Sequence, residues 1–207
     1  MSFCIIGLTG PSGAGKSTVA AHLRDAGIPV IDADCVYHDL LIPPSACLDT
    51  IAEVFSTSVL TPDGHLDRPA LAALVFEDSD IGRERLATLN RITHRFVTEK
   101  TQQMLADYRA KGLPAAVIDA PLLIEADMHR MCDLCVCVLA DHNTRLRRLM
   151  ARDGKDAAAI EARLRAQPSD DFYLSNTDMA IYTDDSTTPE NLRQQVTALL
   201  ARAEVCL

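Results

Sequence analysis

Five short apolar runs punctuate the chain, and most of them stop at a polar residue. They are Phe3-Cys-Ile-Ile-Gly-Leu-Thr9, Ile28-Pro-Val-Ile31 ending at Asp32, Ala115-Ala-Val-Ile118 ending at Asp119, Leu134-Cys-Val-Cys-Val-Leu139, and Met179-Ala-Ile-Tyr182. Short runs with little alternation suit strands buried on both faces. Helical patterns separate them. Ser17–Arg24 reads as a helix closed by Gly27. Leu66–Phe76 reads as another, with Asp67 as its cap and Pro69 in its first turn. Leu86, Leu89, Ile92, Phe96 and Val97 recur at three- and four-residue spacing inside a longer helix from about Gly82 to Lys111. Thr61-Pro-Asp-Gly64 is a turn. Strands alternating with helices predict a parallel sheet covered on both faces, with ligands at the carboxyl ends of its strands. The stretch between the second and third strands carries no strand signal and is too long for a plain crossover. It predicts a mainly helical insertion on the substrate side.

Bulk composition narrows the class. With 207 residues, 48% apolar and 24% charged, the chain suits one globular domain that carries the insertion. No apolar run approaches the roughly 18 residues of a membrane span, and no secretory leader is visible. A formal net charge of −9 argues against nucleic acid as the main partner, because a phosphate backbone needs a basic surface. A small polyanion needs only local positive charge, which Lys16 and the arginines at 145–152 supply. The seven cysteines are an odd number in a chain of this length, which predicts a reducing, cytoplasmic setting rather than a disulfide framework. Cys132, Cys135 and Cys137 lie in a segment that reads as a buried strand, where cysteine acts as a small hydrophobe.

Chemistry enters at the end of the first strand. Gly10-Pro-Ser-Gly-Ala-Gly-Lys16-Ser17 fits the pattern G-x-x-x-x-G-K-[ST], between a strand and a helix as that pattern requires. Glycines let backbone N–H groups converge on a phosphate, and the helix N-terminus adds partial positive charge. The segment Gly10, Gly13, Ala14, Gly15, Lys16, Ser17 and Thr18 is therefore the expected nucleoside triphosphate site. Lys16 would reach the β- and γ-phosphates, and the Ser17 hydroxyl would bind Mg²⁺. Asp32 and Asp119 fall at strand ends, where a phosphoryl-transfer site should assemble. Asp119 suits a carboxylate that holds Mg²⁺ through water, with a helix cap as the alternative. No Asn-Lys-x-Asp guanine reader is present. By analogy of fold, a small-molecule kinase is the expected class.

Further segments resemble the dephospho-CoA kinase family. Gly27-Ile-Pro-Val-Ile-Asp32-Ala-Asp34 is similar to its Gly-x-x-Val-Ile-Asp-Ala-Asp segment. Leu60–Leu71 with Val75-Phe76 resembles its Asp-Gly-x-Leu-(Asp/Asn)-Arg stretch, and Leu89-Asn-x-Ile-x-His94 its Leu-Asn-x-x-x-His-Pro motif. Asp119-Ala-Pro121-Leu122-Leu-Ile-Glu125 resembles its Pro-Leu-Leu-(Phe/Ile)-Glu signature. Arg145–Asp153 matches its Arg-x-x-x-Arg lid segment, with Gln167 where its following glutamine sits. There are departures. Arg95 stands where proline is usual, which should alter a local turn. Pro11-Ser12 replaces the commoner Gly-Ile of the loop, and Thr183 with Asp185 replaces an Asn and a Gly after the fifth strand.

The resemblance implies an α/β, P-loop NTPase-type fold. Its five-stranded parallel sheet would have helices on both faces, a helical substrate-side insertion and a lid. The core would take about 1–34, 113–141 and 177–207, the helical acceptor subdomain about 35–112, and the lid about 142–176. The implied reaction is transfer of the ATP γ-phosphoryl to the ribose 3′-hydroxyl of dephospho-CoA, the last step of coenzyme A biosynthesis. Lys16, Arg148 and Arg152 would meet the transferred charge, the two arginines lying one turn apart on one helix. A solvated helix face is the plainer reading of that pair. Asp32 would orient the acceptor hydroxyl and take its proton, with Asp34 beside it. Capping is the alternative for both. His94, Pro121, Leu122 and Glu125 complete the acceptor set, with a structural hydrogen bond favoured over direct catalysis for His94 and bracing of the loop as the alternative for Glu125. The rival readings are a uridine or cytidylate kinase and a non-enzymatic ATP-binding switch. Neither membrane nor nucleic acid is an expected partner, and the sequence sets no oligomeric state.

Overall fold

The computed structural model describes residues 3–204. Its five strands are β1 (Cys4–Thr9), β2 (Val30–Asp32), β3 (Ala115–Asp119), β4 (Leu134–Leu139) and β5 (Met179–Tyr182). All pair in parallel, in the order β2-β3-β1-β4-β5. The five expected runs are these strands, two of them trimmed at the start, β1 by Phe3 alone. β2 begins at Val30 rather than Ile28, because Pro29 has no N–H to give a ladder. The strand expected from Cys132 starts at Leu134. Cys132 precedes it, and its thiol turns back to the Met128 carbonyl at 3.6 Å.

The chain divides into two compact units, one comprising the segment up to Asp32 and that from Leu105 onward, the other Ala33–Met104. In the first, α1 (Lys16–Asp25) and α9 (Pro189–Arg202) supply much of the core. Val19, Ala20 and Leu23 from α1 and Leu192, Val196 and Leu199 from α9 pack with Ile6, Leu8, Val117, Val136 and Ile181 of the sheet. Alternate strand positions make this possible, since Ile6 and Leu8 share one face. Toward the β4–β5 side of the sheet, α8 (Asp170–Ser175) packs Tyr173 and Phe172 against Cys137 and Leu139 of β4. Each fully buried Leu, Ile or Val here stabilises by about 1.5–3 kcal/mol. Close packing on the sheet also falls at Gly7, where a Cβ would lie 2.7 Å from the Leu123 side chain. Two further helices of this unit are α6 (His142–Asp153) and α7 (Ala157–Arg165), each capped by an aspartate, Asp141 and Asp156.

The second unit has its own core. It holds α2 (Ala33–Asp39), α3 (Ala46–Phe55), α4 (Arg68–Val75) and most of α5 (Asp80–Ala110). Leu41, Ile51, Val59, Leu71, Val75, Leu89 and Ile92 pack together. The start of α4 is as its sequence predicts, with the Asp67 carboxylate accepting from the Ala70 N–H at 3.0 Å. The turn at Thr61–Gly64 closes through the Gly64 N–H to the Thr61 carbonyl at 2.9 Å. Arg95 does not alter a turn, as expected from the missing proline. It sits inside α5, which runs unbroken through it, and its guanidinium lies 4.5 Å from the Phe96 ring centroid.

Candidate active site

The site grows from the carboxyl end of β1. After Thr9 the chain must turn sharply beside β4. Gly10 does this at φ +135°, and any Cβ there would lie 2.2 Å from the Val138 carbonyl oxygen. The loop then closes on itself, with the Ala14 N–H reaching the Pro11 carbonyl at 3.3 Å, and enters α1 at Gly15. No acidic residue occupies the first turn of α1, so the positive end of its dipole is not cancelled locally. Lys16 reaches back over the loop to the Gly10 carbonyl at 2.8 Å. Ser17 and Thr18 are exposed in that first turn, while Ala14 is buried beneath it.

The two expected aspartates meet by register. Asp32 pairs with Asp119 across β2 and β3, and Asp119 is level with Leu8 of β1. Both are half-buried at the carboxyl end of the sheet. The segment after β3 is tied to β1 through Ala120 N–H to the Leu8 carbonyl at 3.0 Å and Thr9 hydroxyl to the Pro121 carbonyl at 3.2 Å. Leu122 and Glu125 are exposed on that segment. The Glu125 charge reaches Tyr173. Burial first, then Glu125, pushes the Tyr173 phenol up to about 12, so it stays neutral. Asp34 and His94 belong to the helical unit, the former exposed in the first turn of α2, the latter half-buried on α5.

The arginines of α6 divide their work. Arg148 is no solvated helix-face residue. It donates to the Thr183 hydroxyl at 3.0 Å, to the Thr183 carbonyl, and to the Gly13 carbonyl at 3.4 Å. Arg152, by contrast, is exposed and pairs with Asp153 at 2.6 Å. The shared face expected of these two thus holds two different partners. Three residues outside the expected set turn out to shape the loop. Thr183, buried, donates its hydroxyl to the Ala14 carbonyl. Arg145, also buried, donates to the Ser12 carbonyl at 3.2 Å. Burial pulls its guanidinium below the usual value, and the Asp170 carboxylate 3.5 Å away opposes this. Gln167 contacts both Ser12 and Arg145. The arginine-rich segment and the glutamine were visible in the sequence. Their common target, Ser12, was not.

A parallel sheet with a glycine loop, a lysine and a helix N-terminus at the end of β1, and a carboxylate on each of the two strands beyond it, defines a P-loop kinase. Among solved structures, the Thermus thermophilus protein TT1252 is similar over 98% of both chains, with TM-score 0.79 and 32% identity. A dephospho-CoA kinase from Campylobacter jejuni shares the fold at TM-score 0.67 and 22% identity, over 96% of each chain. The Dephospho-CoA kinase family model matches residues 4–189. A dephospho-CoA kinase from Corynebacterium efficiens is 40% identical over 196 residues, 95% of each chain. The chain belongs to the dephospho-CoA kinase family, enzymes that transfer phosphate from ATP to a hydroxyl of dephospho-CoA.

Proposed function

We propose that the chain transfers the ATP γ-phosphoryl to the ribose 3′-hydroxyl of dephospho-CoA, giving CoA and ADP, in the cytoplasm and with Mg²⁺. The observation that carries the site assignment is the register that sets Asp32 beside Asp119, level with the strand that opens into the loop. The donor set suits Mg²⁺. A hard, small cation takes few protein oxygens and completes its shell with phosphate and water. The exposed Ser17 hydroxyl is one such oxygen, and Asp119 is a second, acting through water. When bound there, Mg²⁺ would offset the negative charge of the phosphates.

The chain's own residues carry the rest. Lys16 exchanges the Gly10 carbonyl for the β- and γ-phosphates. The α1 N-terminus and the backbone of Gly13–Thr18 hold the remaining oxygens. Asp32 accepts the proton of the acceptor hydroxyl and aims its oxygen at phosphorus, while Asp34, His94, Pro121, Leu122 and Glu125 hold dephospho-CoA. A loose transition state gathers negative charge on the transferred oxygens, which Lys16, Arg148 and Arg152 meet. A net charge of −9 favours a small acceptor over nucleic acid. The deciding experiment measures ADP release from Mg²⁺-ATP with dephospho-CoA, uridine, cytidine, CMP and GMP as acceptors, the product followed by mass spectrometry. Release that requires dephospho-CoA and yields CoA is the expected result. Turnover with a nucleoside or nucleotide alone would reassign the acceptor.

A further inference from the structure

Ser12 is held from outside the loop through both its backbone and its side chain. Its N–H donates to Gln167 Oε1 at 3.1 Å. Its carbonyl accepts from Arg145 Nε at 3.2 Å. Its hydroxyl oxygen accepts from Gln167 Nε2 at 2.9 Å and from Arg163 Nη2 at 3.2 Å. The three partners come from α6, α7 and the residues just after α7, and they are themselves joined. Arg145 Nη2 donates to Gln167 Oε1 at 3.2 Å. Arg163 and Arg152 both pair with Asp153, at 2.9 and 2.6 Å. The segment that carries Arg148 and Arg152 is therefore anchored to the phosphate loop at Ser12.

We infer that Ser12 is a positioning residue. Its hydroxyl latches the α6–α7 segment to the loop, so that loop shape and arginine placement are set together before ATP arrives. The chemistry requires a small hydroxyl at this position. An oxygen with two lone pairs can accept from an amide and a guanidinium at once, whereas an aliphatic side chain accepts from neither. Isoleucine, the commoner residue at this loop position, would leave both donors without this acceptor. In this chain a hydrogen-bonded latch stands in its place. The amide contact at 2.9 Å is shielded and the Arg163 contact is exposed, so Gln167 should carry most of the coupling.

The inference rests on the function proposed above only in taking the loop as the ATP site, so the primary readout is ATP affinity without any acceptor. Ser12→Ala, Ser12→Thr, Gln167→Ala and the double variant Ser12→Ala/Gln167→Ala are compared by calorimetric titration with Mg²⁺-ATP, with thermal melting run alongside. Ser12→Ala is expected to raise the Kd for ATP about tenfold, and Ser12→Thr, which keeps the hydroxyl, to stay within about twofold of the parent. The double variant should bind no more weakly than Gln167→Ala by more than about twofold. In turnover, Ser12→Ala should raise KM for ATP and leave KM for dephospho-CoA unchanged. Parent-like ATP affinity in Ser12→Ala overturns the latch, as does multiplication of the two single losses in the double variant. A loss in Ser12→Thr as large as in Ser12→Ala overturns it too, because the hydroxyl is then not the cause. Failure of the parent with dephospho-CoA would count against the proposed acceptor alone, and the affinity comparison would still decide the latch.

Discussion

The two units hold their candidate residues by different physics. Around the phosphate loop, directional contacts dominate. Lys16 sits on Gly10, Arg148 on Thr183 and Gly13, and Thr183 on Ala14. In the helical unit, the core of Leu41, Ile51, Val59, Leu71, Val75, Leu89 and Ile92 is held by apolar burial. Its polar contacts include helix caps such as Asp67 and exposed pairs such as Arg85–Glu77 at 3.1 Å. The difference follows from the tasks. A triphosphate carries the same charges in the same order whatever the acceptor, so its donors can be fixed in advance. Apolar burial is non-directional, and it fixes the scaffold that carries Asp34 and His94 without fixing those two side chains through a polar network like that of the loop.

This contrast predicts which changes separate ATP binding from transfer. The largest effect should come from Asp32→Asn. It replaces the carboxylate proposed to take the acceptor proton and changes no residue of the loop. Transfer should disappear into the background while calorimetric ATP affinity stays close to the parent's. Collapse of ATP binding together with the fold would make Asp32 a structural residue. Lys16→Ala should come next, with turnover down by at least roughly two orders of magnitude, as when one transition-state donor is removed. Near-parental ADP release in that variant would remove Lys16 from the mechanism.

Ile51→Ala probes the other region. Ile51 is fully buried in the helical core, so truncation should cost about 2–5 kcal/mol of stability. Because Ile51 belongs to the unit without the loop, ATP affinity at low temperature should be unchanged while acceptor-dependent turnover fails at a lower temperature. Equal loss of ATP affinity would dissolve the contrast between the units. The smallest effect concerns pH. The Tyr173 phenol is raised from 10.0 to about 12 in the folded chain. A raised folded-state value means that its contribution is whole below pH 10 and is lost as pH climbs through about 12. Tyr173→Phe should flatten the stability profile across that window in denaturant titrations, with no change near neutrality. An unchanged alkaline slope would assign that slope to other groups.

Much of this was legible along the chain. The five strands are local apolar runs of parallel-sheet length, and only the starts of β1, β2 and β4 differ, each by a residue or two. The Asp67 cap, the turn at Thr61–Gly64 and the span of α5 follow from local propensity. The loop is a contiguous motif, and its chemistry is local backbone geometry. Arg95 was misread because a substitution beside His94 says nothing by itself about whether the backbone there is turning. A helix already running through Phe96 and Val97 absorbs it.

By itself, then, the sequence determined the strand–loop–helix unit, the alternation that makes a parallel sheet, and the order of family motifs, because each depends on neighbours a few residues apart. Tertiary structure alone decided that Asp32 and Asp119 stand in register, 87 residues apart in the chain but adjacent across β2 and β3. It also decided that Arg148 lies on Thr183 rather than in solvent, and that Ser12 is the meeting point of Arg145, Arg163 and Gln167. Those contacts span 35 to 155 positions. No periodicity encodes them, since they exist only once strand order and helix packing have brought the carboxyl ends of the strands to one edge.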